Sequence, residues 1–146
     1  MIKILIVDKD MNLAASVVRA MDTRQIRVDV AQTEVDALAA MRAEPALVFV
    51  RTRGWRAEEI KRLIGRIRSR EPAVLVAVIA SGGSADDEVS LRRLGILCYL
   101  QEPVSTDLVQ EVVRGAASLG SAFGLGGTRG ERFHTKQGTL MKEDCR

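Results

Sequence analysis

The chain has 146 residues, 47% hydrophobic and 28% charged, the balance of one globular domain with enough apolar material for a core. Aromatics are only 3%, so that core is built from Ile, Leu, Val and Ala, and no apolar run approaches the roughly 20 residues a membrane-spanning helix needs. The formal charge of +3 is unevenly placed: residues 51–70 hold eight Lys or Arg against two Glu, which leaves that window at +6 and the rest at −3, a local basic surface on a near-neutral chain.

Met1–Val7 (MIKILIV) is a continuous apolar run and predicts a buried strand, with no signal-peptide pattern before it. Asp10 or Asn12 can cap the next helix, where Leu13, Ala14, Val17, Val18 and Met21 recur at helical spacing. Ile26, Val28 and Val30 alternate with Arg27 and Asp29, a second strand with one polar face. Thr33 caps a helix carrying Val35, Leu38, Ala39 and Met41, and Pro45 marks its exit. Leu47–Val50 is a third buried strand. Ile60, Leu63, Ile64 and Ile67 follow the i, i+3, i+4, i+7 pattern and predict an amphipathic helix over 57–70, ended by Pro72. Val74–Ala80 is the fourth strand. Ser81, Gly82, Gly83 and Ser84 form a loop, and Asp86, Asp87 and Glu88 suit the positive end of the helix that follows. Gly95 closes that helix, Ile96–Leu100 is the fifth strand, and Ser105 caps a last helix with Leu108, Val109, Val112, Val113 and Ala116 inward.

Strands and helices alternate five times, and continuous apolar strands imply a parallel sheet covered on both faces. The expected fold is a doubly wound α/β sandwich with a five-stranded parallel sheet. In such sheets the working site lies at the carboxyl ends of the strands, at the topological switch point. Here those ends are Asp8, Lys9, Asp10, Arg51, Ala80, Ser81, Gln101 and Glu102.

From Leu119 the character changes. Residues 119–146 hold six of the twelve glycines and little apolar periodicity, which reads as a Gly-rich tail after a domain spanning 1–118. The tail's Phe123, Leu125, Phe133, Leu140 and Met141 are anchors that a bare spacer would not need, and such segments can fold on a partner.

Residues 1 to about 118 resemble the receiver domain of bacterial response regulators. The segments that carry the likeness are ILIVDKD at 4–10, ALVFVR at 46–51 and SLRRLGILCYLQEP at 90–103, the last being helix, glycine, strand with tyrosine, polar residue and Pro103. The resemblance implies the flavodoxin-like (βα)5 fold and a place in two-component signal transduction. It also implies a phosphorylation pocket. Two acidic residues after the first strand and an aspartate ending the third hold Mg²⁺ through oxygen ligands. That aspartate attacks a phosphoryl group, and a Ser or Thr and a Lys hold the phosphoryl oxygens. An aromatic on the fifth strand reports the switch.

Asp8 matches the first acidic position, and Tyr99 and Pro103 match theirs. Lys9 falls on the second acidic position, with Asp10 beside it. Arg51 stands at the phosphoacceptor and Glu102 at the lysine. The hydroxyl position falls on Ala80 counted back from the fifth strand, or on Ser81 counted forward from the third. A guanidinium stays protonated and has no lone pair for phosphoryl transfer or metal ligation. Lys9 would repel a metal and Glu102 a phosphoryl group. The expectation is therefore a degenerate, phosphorylation-independent pseudo-receiver with no metal, cofactor or catalytic residue. Swapped charges suggest an Arg51–Glu102 ion pair with Asp8 as a second acceptor. The alternative is an Arg51 turned to solvent.

Other features divide between two readings. Arg62, Arg66 and Arg70 form a stripe that suits an acidic partner or nucleic acid, or is simply a solvated face. Nucleic acid is the less favoured, since aromatic stacking residues and a helix-turn-helix are lacking. Trp55 either anchors an interface or packs over the helix. Tyr99 either packs on an outer strand or marks the face formed by the fourth helix, fifth strand and fifth helix, which in receivers binds partners or a second copy. Gly82–Gly83 lacks the P-loop order and lysine. Cys98 and Cys145 form no metal or disulfide spacing, and His134 is the single histidine, so a reducing, cytoplasmic compartment is expected. Together these give a non-enzymatic adaptor or subunit, without membrane contact, binding a protein partner through the tail or the Tyr99 face, with a homodimer open. The alternatives are a phosphoacceptor using Asp8 or Asp10, and an anion-binding module using the helix at 57–70.

Overall fold

The computed structural model describes residues 2–20 and 24–124. Met21, and the tail from Leu125 with its Phe133, His134, Leu140, Met141 and Cys145, lie outside the described residues.

Strands β1 (Ile2–Val7), β2 (Ile26–Ala31), β3 (Leu47–Arg51), β4 (Leu75–Ala80) and β5 (Cys98–Gln101) form one parallel sheet in the order β2-β1-β3-β4-β5. Helices α1 (Asn12–Ala20), α2 (Glu34–Ala40), α3 (Ala57–Arg70), α4 (Ala85–Arg93) and α5 (Thr106–Gly124) connect or follow them. This is the doubly wound, flavodoxin-like arrangement expected from the alternation of apolar runs.

Because side chains alternate along a strand, each strand feeds two cores. Ile4, Ile6, Phe49, Ile79 and Leu100 pack under α1 and α5 with Leu13, Val17, Val109, Val112 and Leu119. Leu5, Val7, Val48, Val78 and Tyr99 pack under α2, α3 and α4 with Ala37, Met41, Ile60, Leu63, Ile64, Ile67 and Leu91. No described helix is long and apolar enough to cross a membrane.

Several local expectations shift. In α2 the buried residue is Ala37, followed by Met41 in a short 3-10 turn, while Val35 is 76% exposed. Thr33 does cap this helix, its hydroxyl accepting from Asp36 N–H at 3.1 Å, and that fixes a phase that turns Val35 outward. At the start of α1 the acceptor is supplied by Asp8. The Asp8 carboxylate accepts from Leu13 N–H at 2.9 Å and from Asp10 N–H at 3.0 Å. The boundary drawn at 118 falls inside α5, because the inward spacing of Val112, Ala116 and Leu119 carries the helix on and seats Leu119 in the core. Gly95 takes φ +81° after α4, the left-handed conformation that a terminating glycine provides.

Candidate functional site

β1 and β3 are neighbours at the sheet's centre, where the chain reverses its direction of winding. Their carboxyl ends deliver Asp8 and Arg51 to one place. β4 and β5 add Ser81 and Glu102 from the adjoining side, since Arg51 pairs in register with Ile79, and Ala80 with Gln101.

Arg51 and Glu102 pair in a fork. Arg51 Nε donates to Glu102 Oε1 and Nη2 to Oε2, each at 3.0 Å. Nη1 donates to the two Asp8 oxygens at 3.3 and 3.4 Å and lies 3.6 Å from Asp10 Oδ2. Asp8 is fully buried and Arg51 is 7% exposed. Such a pair recovers its desolvation cost only when the remaining valences are filled, and here they are. Asp8 accepts two backbone N–H groups besides the guanidinium, and Glu102 Oε1 also accepts from the Ser81 hydroxyl. The hydrogen bond from Arg51 holds the Glu102 carboxyl below its usual range against the opposing effect of burial, helped by Ser81. The same bond raises the Arg51 guanidinium above its ordinary value, so it stays charged.

The surrounding loops are tied across this cluster. Lys9 lies over the Trp55 ring, its Nζ 4.5 Å from the centroid, and donates to Gly54 O at 3.0 Å. Arg53 Nε lies 3.6 Å from Asp10 Oδ2. Ser81 N–H donates to Thr52 Oγ1 at 3.1 Å, which joins the loops after β3 and β4.

Of the two candidates for the hydroxyl position, Ser81 reaches the cluster, while the Ala80 methyl is buried in the core below. Gln101 is turned away, its Nε2 donating to Gly82 O at 3.4 Å. Pro103 is exposed, and its bond to Glu102 is cis. Tyr99 is 3% exposed and turned into the α3–α4 side of the core, with its hydroxyl beneath Gly83. Burial raises its phenol above the usual value, and Glu88 and Asp87 add to this. Trp55 is half-buried against the same core. Arg62 and Arg66 lie apart from the cluster. Both grip Glu34 of α2, Arg62 Nε donating to Oε1 at 3.1 Å and Arg66 Nη1 to Oε2, while Arg70 donates to Leu38 O at 3.3 Å. The basic stripe is thus largely a seam between α2 and α3. Glu34 and Thr52 were not singled out from the sequence, because partners 28 and 29 residues away leave no local pattern.

The cluster can bind, and it can hold loops together. Its donor set does not suit a divalent cation: the Asp8 oxygens are committed, and a guanidinium occupies the space among Asp8, Asp10 and Glu102. No group of three or more His, Cys, Asp or Glu placed to hold a metal occurs among the described residues.

Neither a protein-family model nor a curated protein sequence matches the chain. Solved structures do match. A response regulator from Thermotoga maritima superposes with a TM-score of 0.71 at 28% identity, over 81% of this chain and 98% of that one. The fold is that of a response-regulator receiver domain. A CheY-like receiver domain protein from Methanospirillum hungatei gives 0.70 at 21% identity, over 81% and 95% of the two chains. The beryllofluoride-activated NtrC4 receiver domain dimer gives 0.70 at 20% identity, over 80% and 96%. In this fold Asp8 follows β1, Arg51 ends β3, Ser81 follows β4, and Glu102 follows β5 and precedes Pro103.

Proposed function

We propose that this chain is a phosphorylation-independent receiver that signals through protein–protein contact, as an adaptor or a subunit of a larger assembly. What supports this is the Arg51–Glu102 fork, with Asp8 behind it, at the carboxyl ends of β3 and β5, where the receiver likeness implies a phosphorylation pocket. A guanidinium there neither attacks phosphorus nor ligates a metal. It supplies a fixed positive charge among carboxylates, and Glu102 in turn takes up the Ser81 hydroxyl. The loops after β1, β3, β4 and β5 are held in one arrangement without a modification.

Two alternatives are less well supported. Asp8 is buried and engaged on both oxygens, so of the two acidic candidates only Asp10 is exposed to a phosphodonor. Anion binding by α3 competes with the Glu34 clamp for Arg62 and Arg66.

The test is capture of partners from the native cell by the full chain, with and without acetyl phosphate and Mg²⁺, alongside a chain ending at Gly124. The proposal expects the same partner in both conditions. A partner captured only after phosphodonor treatment refutes it. Retention by the shorter chain places recognition on the folded domain, and loss places it on the tail.

A further inference from the structure

A second feature lies beside the fork on the α3–α4 side. The loops after β3 and β4 border a half-open cavity of about 450 Å³ whose lining includes Thr52, Arg53, Trp55, Lys61, Asp87 and Tyr99. Its size is in the range of ligand pockets. We propose that this cavity is a docking slot for an acidic segment of a partner protein, one that places an Asp or Glu side chain beside a large apolar residue.

Hydrogen-bonding capacity around this cavity is left unfilled. The lining is rich in donors. Trp55 is on the lining, although its indole N–H, which has no acceptor among the described residues, is itself closed off from solvent and is not one of them. Thr52 Oγ1 accepts from Ser81 N–H, which leaves its own O–H to donate. Arg53 is 60% exposed and only loosely paired, 3.6 Å from Asp10. Lys61 reaches Asp87 only at 4.0 Å. The acceptor side is thinner, because Asp87 Oδ2 accepts from Ser84 N–H at 3.3 Å in the cap of α4. What the slot lacks is an acceptor carrying negative charge, which a carboxylate supplies. Exposed pairs of this kind hold weakly, so an incoming carboxylate can compete for both cations. The half-buried Trp55 ring supplies the apolar contact, packed over Ile60, Leu91 and Tyr99, which are buried beneath the lining.

Of the basic residues at 51–70, Arg62, Arg66 and Arg70 are engaged with α2, whereas Arg53 and Lys61 line the slot. The charge asymmetry of the sequence therefore has one outlet here. The inference rests on the protein–protein reading above but is independent of whether the fork blocks phosphorylation.

The experiment is to pan a displayed random peptide library against the full chain. The most enriched peptide, and its Asp→Asn, Glu→Gln counterpart, are then titrated while following the emission of Trp55, the chain's one tryptophan. The expected result is enrichment of Asp or Glu beside Leu, Phe or Trp, with saturable change in Trp55 emission. The amide counterpart, and the Arg53→Ala/Lys61→Ala double variant, should each weaken binding by about tenfold. The Arg62→Ala/Arg66→Ala pair should leave it unchanged. Failure to enrich acidic peptides, equal affinity for the neutral counterpart, indifference to the Arg53/Lys61 change, or equal binding of free glutamate would each overturn the proposal. None of these outcomes bears on the phosphodonor test, so the two readings fail separately.

Discussion

Arg51 and Glu102 face each other across the carboxyl end of the sheet, 51 residues apart in sequence, with two parallel N–H···O contacts of 3.0 Å. The guanidinium's remaining nitrogen reaches back to a fully buried Asp8. Removing this cation strands a buried carboxylate. Arg51→Ala is expected to cost about 3–5 kcal/mol in urea unfolding. Arg51→Lys, which keeps the charge and loses the fork, should recover only part of that. Millimolar MgCl2 should leave the wild-type midpoint unmoved and raise that of Arg51→Ala, whose Asp8, Asp10 and Glu102 would then lack a resident cation. Equal midpoints for Arg51→Ala and wild type would show that the fork carries no stability.

The same contact sets a pH dependence. Glu102 is held below its usual value by Arg51, so the folded state binds the proton less tightly than the unfolded chain. Its stabilisation is complete above the unfolded value of about 4.3 and fades as the pH falls through the lower folded value. Wild type should therefore exceed Glu102→Gln in melting temperature at neutral pH. The gap should narrow below about pH 4. A constant gap from pH 7 to pH 3, followed by thermal melts, would rule this out.

Much of the scaffold was legible because a buried parallel sheet writes itself as apolar runs, and α3 writes its buried face as Ile60, Leu63, Ile64 and Ile67. The residues of the site were legible for a different reason: strand ends fix which positions converge, and the charges at Arg51 and Glu102 are opposite. Less legible was what depends on helix phase or on distant partners. Val35 looked like core by composition, yet the Thr33 cap rotates it outward. Asp8 serves as both cap and counter-ion, two roles that no local pattern separates. The Arg62 and Arg66 stripe looked open because Glu34 is on another helix.

That stripe gives a third expectation. Both arginines are about half exposed, so the clamp contributes little to stability, and Glu34→Ala should cost under about 1 kcal/mol. Its larger effect should be electrostatic. Releasing Arg62 and Arg66 should raise the salt concentration needed to elute the chain from heparin. Unchanged elution would mean that Glu34 does not restrain them.

Gly83 and Tyr99 supply a fourth. Gly83 has φ +97°, and a Cβ there would meet the Tyr99 hydroxyl at 3.0 Å. Gly83→Ala should cost about 1–2 kcal/mol from the left-handed backbone, plus the crowding. In Gly83→Ala/Tyr99→Phe the crowding is relieved, so the two changes should couple measurably in a double-mutant cycle. Strict additivity would separate the loop from Tyr99.

The most direct measurement is intact mass of the full chain after incubation with acetyl phosphate and Mg²⁺. With a guanidinium ending β3 and holding both Asp8 oxygens, the account predicts an unchanged mass. A gain of one phosphoryl group, mapped to Asp8 or Asp10, would contradict it and make this chain a working phosphoacceptor.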